Sequence, residues 1–272
     1  MKKRFVVFID FSEHSGDLLR FASDWANIVH AELLVVHQLT VLTPMLTDQD
    51  DKKQLKSEEK GEALKQMMLL GKDIAHPGQK ISYQTIDYDV RLFLHQLEEE
   101  PYDHLLFVGL NGNGLLKQVF IGSFALKVIE SGNHMVVAIP NGLKTVGREK
   151  ILIGVTPKHT VNILRLNNFL NMIRNEHTTL TFFYLAKAEE NTVRIEQFLN
   201  DLLNLFRDKI KTEYKIYLGS NQIEHIKSII SESDKELLII QKGSRLLSDQ
   251  LFRKFLVNDL VHDGKIPLVI LP

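Results

Sequence analysis

Residues 105–140 read LLFVGLNGNGLLKQVFIGSFALKVIESGNHMVVAIP, and this stretch decides the fold. It opens on four apolar residues, Leu105 to Val108, the composition of a strand buried on both faces of a parallel sheet. A loop with Gly109, Gly112 and Gly114 follows, then helical spacing from Ser123 to Glu130, then an apolar run from Met135 to Ile139 that stops at Pro140. Parallel neighbours cannot be joined by a tight turn, so strand, loop, helix and strand in this order make a βαβ unit.

The same alternation runs back to the start of the chain. Phe5 to Ile9 is an apolar run ending at Asp10, and Ser12 and Glu13 open a helix whose apolar positions from Leu18 to Val29 recur at helical spacing. Ala31 to His37 is a second buried strand. A polar stretch around Asp48 to Lys60, expected as a solvated helix or loop, leads to a helix through Ala63, Met67 and Leu70. A third strand near Ile81 to Ile86 and a short helix through Val90, Phe93, Leu94 and Leu97 complete the set. Five strands alternating with helices specify a doubly wound parallel sheet.

Downstream the pattern restarts. After a linker from Asn141 to Arg148, strands are expected at Ile151–Val155, Leu180–Leu185, Tyr214–Leu218, Leu237–Ile240 and Leu268–Leu271. Helices fit at about 161–173, 192–206, 223–230 and 249–261. Register supports a repeat: Asp10 aligns with Thr156 at an offset of 146, and from the fourth strand onward an ungapped offset of 132 aligns Leu105 with Leu237 and Pro140 with Pro272. The 14-residue difference falls at the charged segment Asp48 to Lys60, a surface connection. The fold class is therefore α/β, with two tandem doubly wound five-stranded parallel-sheet domains of Rossmann-like type over residues 1–142 and 149–272. Each ends on an apolar strand that needs a neighbour. Pairing the two fifth strands with each other gives an intramolecular pseudo-dimer, which makes a homodimer optional.

Composition narrows the function. A formal net charge of −1 offers no field for nucleic acid or an anionic membrane. The absence of cysteine removes disulfides, thiol catalysis and thiolate metal sites, and fits a cytoplasmic setting. The basic start Met1-Lys2-Lys3-Arg4 precedes an apolar run too short for a signal peptide, and no stretch is apolar enough to span a membrane. No histidine pair stands at helical spacing beside a carboxylate, and neither Gly-x-x-x-x-Gly-Lys-Ser/Thr nor Gly-x-Ser-x-Gly occurs.

In open α/β sheets ligands bind beyond the carboxyl ends of the strands, where the strand order reverses. Asp10 ends the first strand there, and Gly109-Leu110-Asn111-Gly112, nine residues and then Gly122-Ser123 join the fourth strand to the last helix. Glycines let backbone N–H groups approach phosphates, and the helix start completes an anion site. This spacing resembles the ATP-binding signature of the universal stress protein family, and Phe8-Ile9-Asp10-Phe11-Ser12-Glu13 is similar to that family's first strand and turn. The resemblance implies an adenine-nucleotide α-hydrolase-like fold and ATP as ligand, with or without magnesium. It implies Asp10 near adenine and ribose or at a metal, and the main chain of Gln38 at the base. It further implies Gly109, Asn111 and Gly112 along ribose and α-phosphate, and Gly122, Ser123, Phe124 and Ala125 around the terminal phosphates.

In the second half every motif position is replaced, since Gly109, Gly112, Gly122 and Ser123 align with Gln241, Ser244, Lys254 and Phe255. The expectation is one competent and one degenerate domain. Asp10 also reads as a cap or structural carboxylate, His37 as a packed histidine, and Lys117 and Lys127 as solvated cations. The segment Asp48 to Lys60 is also placed to act as a flap over the site. The functional expectation is a stress-response or regulatory protein that binds ATP without fast catalysis. The alternatives are a nucleotide-free interaction scaffold and a slow ATPase or ATP-dependent enzyme of the related superfamily.

Overall fold

In the computed structural model, which describes residues 1–39, 49–110, 123–143, 147, 149–173, 177–187, 189–219, 236–243 and 266–272, strand β1 runs Lys2–Ile9 and helix α1 Ser15–Val29. β2 (Glu32–Gln38), α2 (Gln49–Ile74), β3 (Ile81–Ile86), α3 (Val90–Glu98), β4 (Tyr102–Leu110) and α4 (Ser123–Glu130) come next. These elements form one compact unit over Met1–Gly109 and Ser123–His134. Its sheet has the order β3-β2-β1-β4 with every pair parallel, so the order reverses between β1 and β4.

Side-chain alternation along β1 builds a core on each face of this sheet. Phe5 meets the Trp25 indole of α1 edge-on at 5.7 Å, and Phe107 of β4 meets the same indole at 5.5 Å. Phe8, three positions along, points the other way and packs against Phe93 of α3 at 6.0 Å and Phe124 of α4 at 5.4 Å. All of these residues but Phe124 are buried. Full burial of one such ring stabilises by roughly 1.5–3 kcal/mol.

Two expectations about helices are refined. α1 begins at Ser15 rather than at Ser12 and Glu13, because the Asp10 carboxylate accepts from the Ser12 N–H at 3.0 Å and closes a turn there. The charged segment is helical and continuous with the helix through Ala63, Met67 and Leu70, giving the single 26-residue helix α2, largely exposed over residues 50–62. The turn that follows α2 is fastened to α1: Ser23 Oγ donates to Gln79 Oε1 at 2.7 Å, and His76 Nε2 lies 2.7 Å from Asp24.

The second unit comprises β5 (Met135–Pro140), β6 (Lys150–Gly154), α5 (Ile163–Ile173), β7 (Thr179–Ala186), α6 (Val193–Phe206), β8 (Lys211–Leu218), β9 (Glu236–Gln241) and β10 (Leu268–Leu271). Its order β8-β7-β6-β9-β10 repeats the succession β3-β2-β1-β4 and adds the fifth strand. β5 groups with this unit because it pairs antiparallel with β10, Leu268 opposite Ala138 and Ile270 opposite Val136. The two apolar fifth strands thus cover each other's edges, as their composition demands. The helices expected near 223–230 and 249–261 lie outside the described residues.

Candidate functional site

The strand ladders bring part of the predicted site together. Ile9 pairs with His37, so Asp10 and Gln38 leave adjacent strands at the same level. Val7 pairs with Phe107, which puts Gly109 level with the end of β1 on its other side, at the point of strand-order reversal. Asn111, Gly112, Gly122 and Lys117 lie outside the described residues.

Asp10 is held in one orientation. Its Oδ1 accepts from the Ser12 N–H at 3.0 Å and from the buried Ser15 hydroxyl at 3.0 Å. Burial pushes its pKa up, but hydrogen bonds from Ser12 and Ser15 outweigh burial and hold it below the ordinary carboxylate value, so the group is ionised at neutral pH. Phe11, next in the chain, takes a left-handed φ of 58°, costly for a bulky residue. Its ring lies 4.4 Å from the His37 imidazole, and His37 Nδ1 is 2.9 Å from the Ile9 carbonyl oxygen. A carbonyl only accepts, so Nδ1 carries the proton, and His37 is the packed, hydrogen-bonded histidine its position suggested.

The Gln38 side chain donates to the Tyr88 carbonyl at 2.9 Å, while the following Leu39 N–H donates to the Ile86 carbonyl at 2.8 Å. α4 starts at Ser123 and has no acidic residue in its first turn, so none of its own carboxylates neutralises the positive end of its dipole. Phe124 against Phe8 and the buried Ala125, Val128 and Ile129 fix this helix on the sheet. Lys127 is exposed.

Sequence reading missed three members of this arrangement: Ser15 as a second donor to Asp10, Phe11 as a strained lid on His37, and Tyr88 as the anchor of Gln38. Only the first had a sequence signal, an Asp followed by serines two and five residues on.

The second unit repeats the strand succession with different side chains at the corresponding strand ends. Thr156 Oγ1 accepts from the Lys158 N–H at 3.4 Å, the same i to i+2 turn as at Asp10 but with no charge. At the position of Gly109 stands Gln241, whose Oε1 accepts from the Asn162 N–H at 2.9 Å and whose Nε2 donates to the Pro272 carbonyl at 3.0 Å. Asn162 Oδ1 in turn accepts from Arg165 N in the first turn of α5 at 3.1 Å. A side chain of the protein itself therefore sits at the strand end where the first unit has a glycine.

Parallel strands, a reversal between β1 and β4, and a carboxylate and glycine at that reversal define a doubly wound α/β protein with a switch-point crevice. A family model, the universal stress protein family, matches residues 1–140, and the chain belongs to this family. At that level its role is stress response. Solved structures agree in fold along nearly the whole chain. A universal stress protein from Archaeoglobus fulgidus DSM 4304 is similar at 14% identity and TM-score 0.70, covering 98% of this chain and 97% of its own. A functionally unknown protein from Pseudomonas aeruginosa PAO1 is similar at 12% identity and TM-score 0.53, with 99% and 92% covered. The cytoplasmic domain of a prokaryotic cation chloride cotransporter is similar at 13% identity and TM-score 0.53, with 99% and 95% covered. No curated protein sequence matches. Among the described residues no helix is long and apolar enough to cross a membrane.

Proposed function

We propose that the first unit binds ATP at the carboxyl ends of β1 and β4 and that the chain acts as a nucleotide-responsive regulatory protein without fast catalysis. The observation that carries this reading is the placement of Asp10 and Gly109 on either side of the strand-order reversal, with α4 beginning at Ser123. Gly109 leaves room for close approach of backbone and ligand, and the amino end of α4 favours anionic groups. The ionised Asp10 suits a ribose hydroxyl or a magnesium ion accompanying the phosphates. The Gln38 main chain borders the place of the base. Binding at this site stabilises whichever conformation or assembly presents it, and that linkage is the regulatory output.

Gln241 favours a single site per chain, because the equivalent strand end of the second unit is already hydrogen-bonded within the protein. Isothermal titration with ATP and magnesium should give one site per chain, and Gly122→Val combined with Ser123→Ala should abolish the heat. Absence of heat in the wild type would leave an interaction scaffold as the better account. Steady product formation from ATP at about 1 s⁻¹ or faster would move the protein into an enzyme class.

A further inference from the structure

Helix α2 carries two apolar faces, and the described residues bury only one of them fully. Ala63, Met67 and Ile74 are buried, and Leu70 faces Gly16 of α1, where an added Cβ would lie 3.8 Å from its Cδ1. A second stripe at helical spacing, Leu64, Met68, Leu69 and Ala75, lines a cavity of about 550 Å³ together with Ile81 and Tyr83 of β3. β3 is the outer strand of its sheet. Met68 and Leu69 are 57% and 58% exposed, so two large apolar side chains stand together in solvent at the cavity wall.

The wall on the strand side is built with specific means. The Tyr83 hydroxyl lies against the α2 backbone at Gly71, where an added Cβ would come within 2.0 Å of the phenolic oxygen. At Gly61, which also lines the cavity, an added Cβ would meet nothing within 4 Å. The cavity's size falls within the range of small-molecule sites, about 300–1,000 Å³.

Its charge has one sign. Lys65 and Lys72 line it, and among the described residues no acidic one does. Neither lysine makes an ion pair among the described residues, whereas Lys53, Lys56 and Lys80 are paired with Asp50, Asp87 and Glu32. The residues three and four positions from Lys72 are Met68, Leu69, Ala75 and His76, so no helix neighbour neutralises it, while Glu62, three positions before Lys65, accepts from Gln66 Nε2 at 3.0 Å. Long apolar walls beside unpaired ammonium groups complement an amphiphile with an anionic head. Among the described residues the lining's charged groups are two lysine ammonium groups, point charges that pair with a simple anionic head such as a carboxylate.

We propose that the groove between α2 and β3 is a binding site for a free medium-chain carboxylate of about ten to twelve carbons, its chain along Leu64, Met68 and Tyr83 and its head between Lys65 and Lys72. The groove shares no residue with the crevice at Asp10 and Gly109, so the two readings stand or fall separately.

Isothermal titration of the full chain with dodecanoate, below its micellar concentration, tests this against dodecyltrimethylammonium, which has the same tail and the opposite charge. One dodecanoate per chain is expected, at least tenfold tighter than the cation. Lys65→Glu with Lys72→Glu should weaken dodecanoate tenfold or more, as should Met68→Glu. ATP titration and the circular-dichroism melt should not change, since these side chains are exposed. No dodecanoate uptake up to about 1 mM overturns the proposal, as does equal affinity for both amphiphiles or unchanged affinity in the double variant. Self-association that Met68→Glu abolishes, without dodecanoate uptake, assigns the face to a second copy of the chain and likewise overturns it.

Discussion

Acidification from pH 7 to pH 4 should cost this protein about 3 kcal/mol of stability through one residue, His104, in addition to what its carboxylates contribute. The His104 side chain is 2% exposed at the start of β4, and its Nε2 has no hydrogen-bond partner among the described residues. Burial, then the nearby His134 ring and the Arg4 guanidinium, depress its pKa from the ordinary 6.5 to about 4. Glu100 Oε2 is 4.0 Å from Nε2, too far to offset burial. Below pH 6.5 the unfolded chain takes up a proton that the folded protein refuses until about pH 4, so stability falls with pH across that window and levels off beneath it. A difference of about 2.5 pKa units at 1.36 kcal/mol each, less the half-protonation reached at pH 4, gives the figure of about 3 kcal/mol, and roughly half of it is lost by pH 5.5. The near-complete burial of the ring leaves little solvent screening to discount.

Urea unfolding at pH 7, 5.5 and 4, in the wild type and in His104→Leu, isolates this contribution. Asp10 and Glu32, whose pKa values are lowered in the fold, also lose stabilisation as the pH falls, but they do so in both proteins and cancel in the difference. The wild type should lose about 3 kcal/mol more than the variant between pH 7 and pH 4. Parallel losses in the two proteins would refute the reasoning, since they would mean that His104 titrates alike folded and unfolded.

Gln241→Ala should destabilise the second unit by about 1–3 kcal/mol in a urea melt, because the Asn162 N–H and the Pro272 carbonyl both lose their partner, while ATP stoichiometry stays at one. Phe8→Ala should cost about 3–5 kcal/mol by the same assay and also weaken ATP binding, since Phe8 braces α4 through Phe124. His30→Gly should raise stability by up to about 1 kcal/mol, because His30 closes α1 in the left-handed conformation, at φ 53°, that glycine adopts without strain. A lower melting temperature in this variant would argue against the cap geometry.

The alternation of apolar runs and helical spacing was enough to place β3 and α4 at their observed bounds and α3 by its apolar positions, because strands covered on both faces and one-sided helices leave different periods in the chain. The ungapped 132-residue register, a property of order along the chain, anticipated the repeated strand succession, and the apolar strand that closes each repeat anticipated the pairing of β5 with β10. The same register showed which strand ends keep a glycine and which do not.

What only the tertiary structure decided are contacts between residues distant in sequence. Gln241 reads as a lost glycine, and its use as a bridge depends on Asn162 and Pro272, 79 and 31 positions away. The start of α1 is a local matter that propensity alone does not rank, since the Asp10 carboxylate takes the Ser12 N–H and the Ser15 hydroxyl. His104 reads as one more histidine in a strand, yet its lowered pKa comes from burial, from His134 before β5 and from Arg4 on β1. Periodicity records which face of an element is covered; it does not record by what, and the second face of α2 became visible only once β3 was laid beside it.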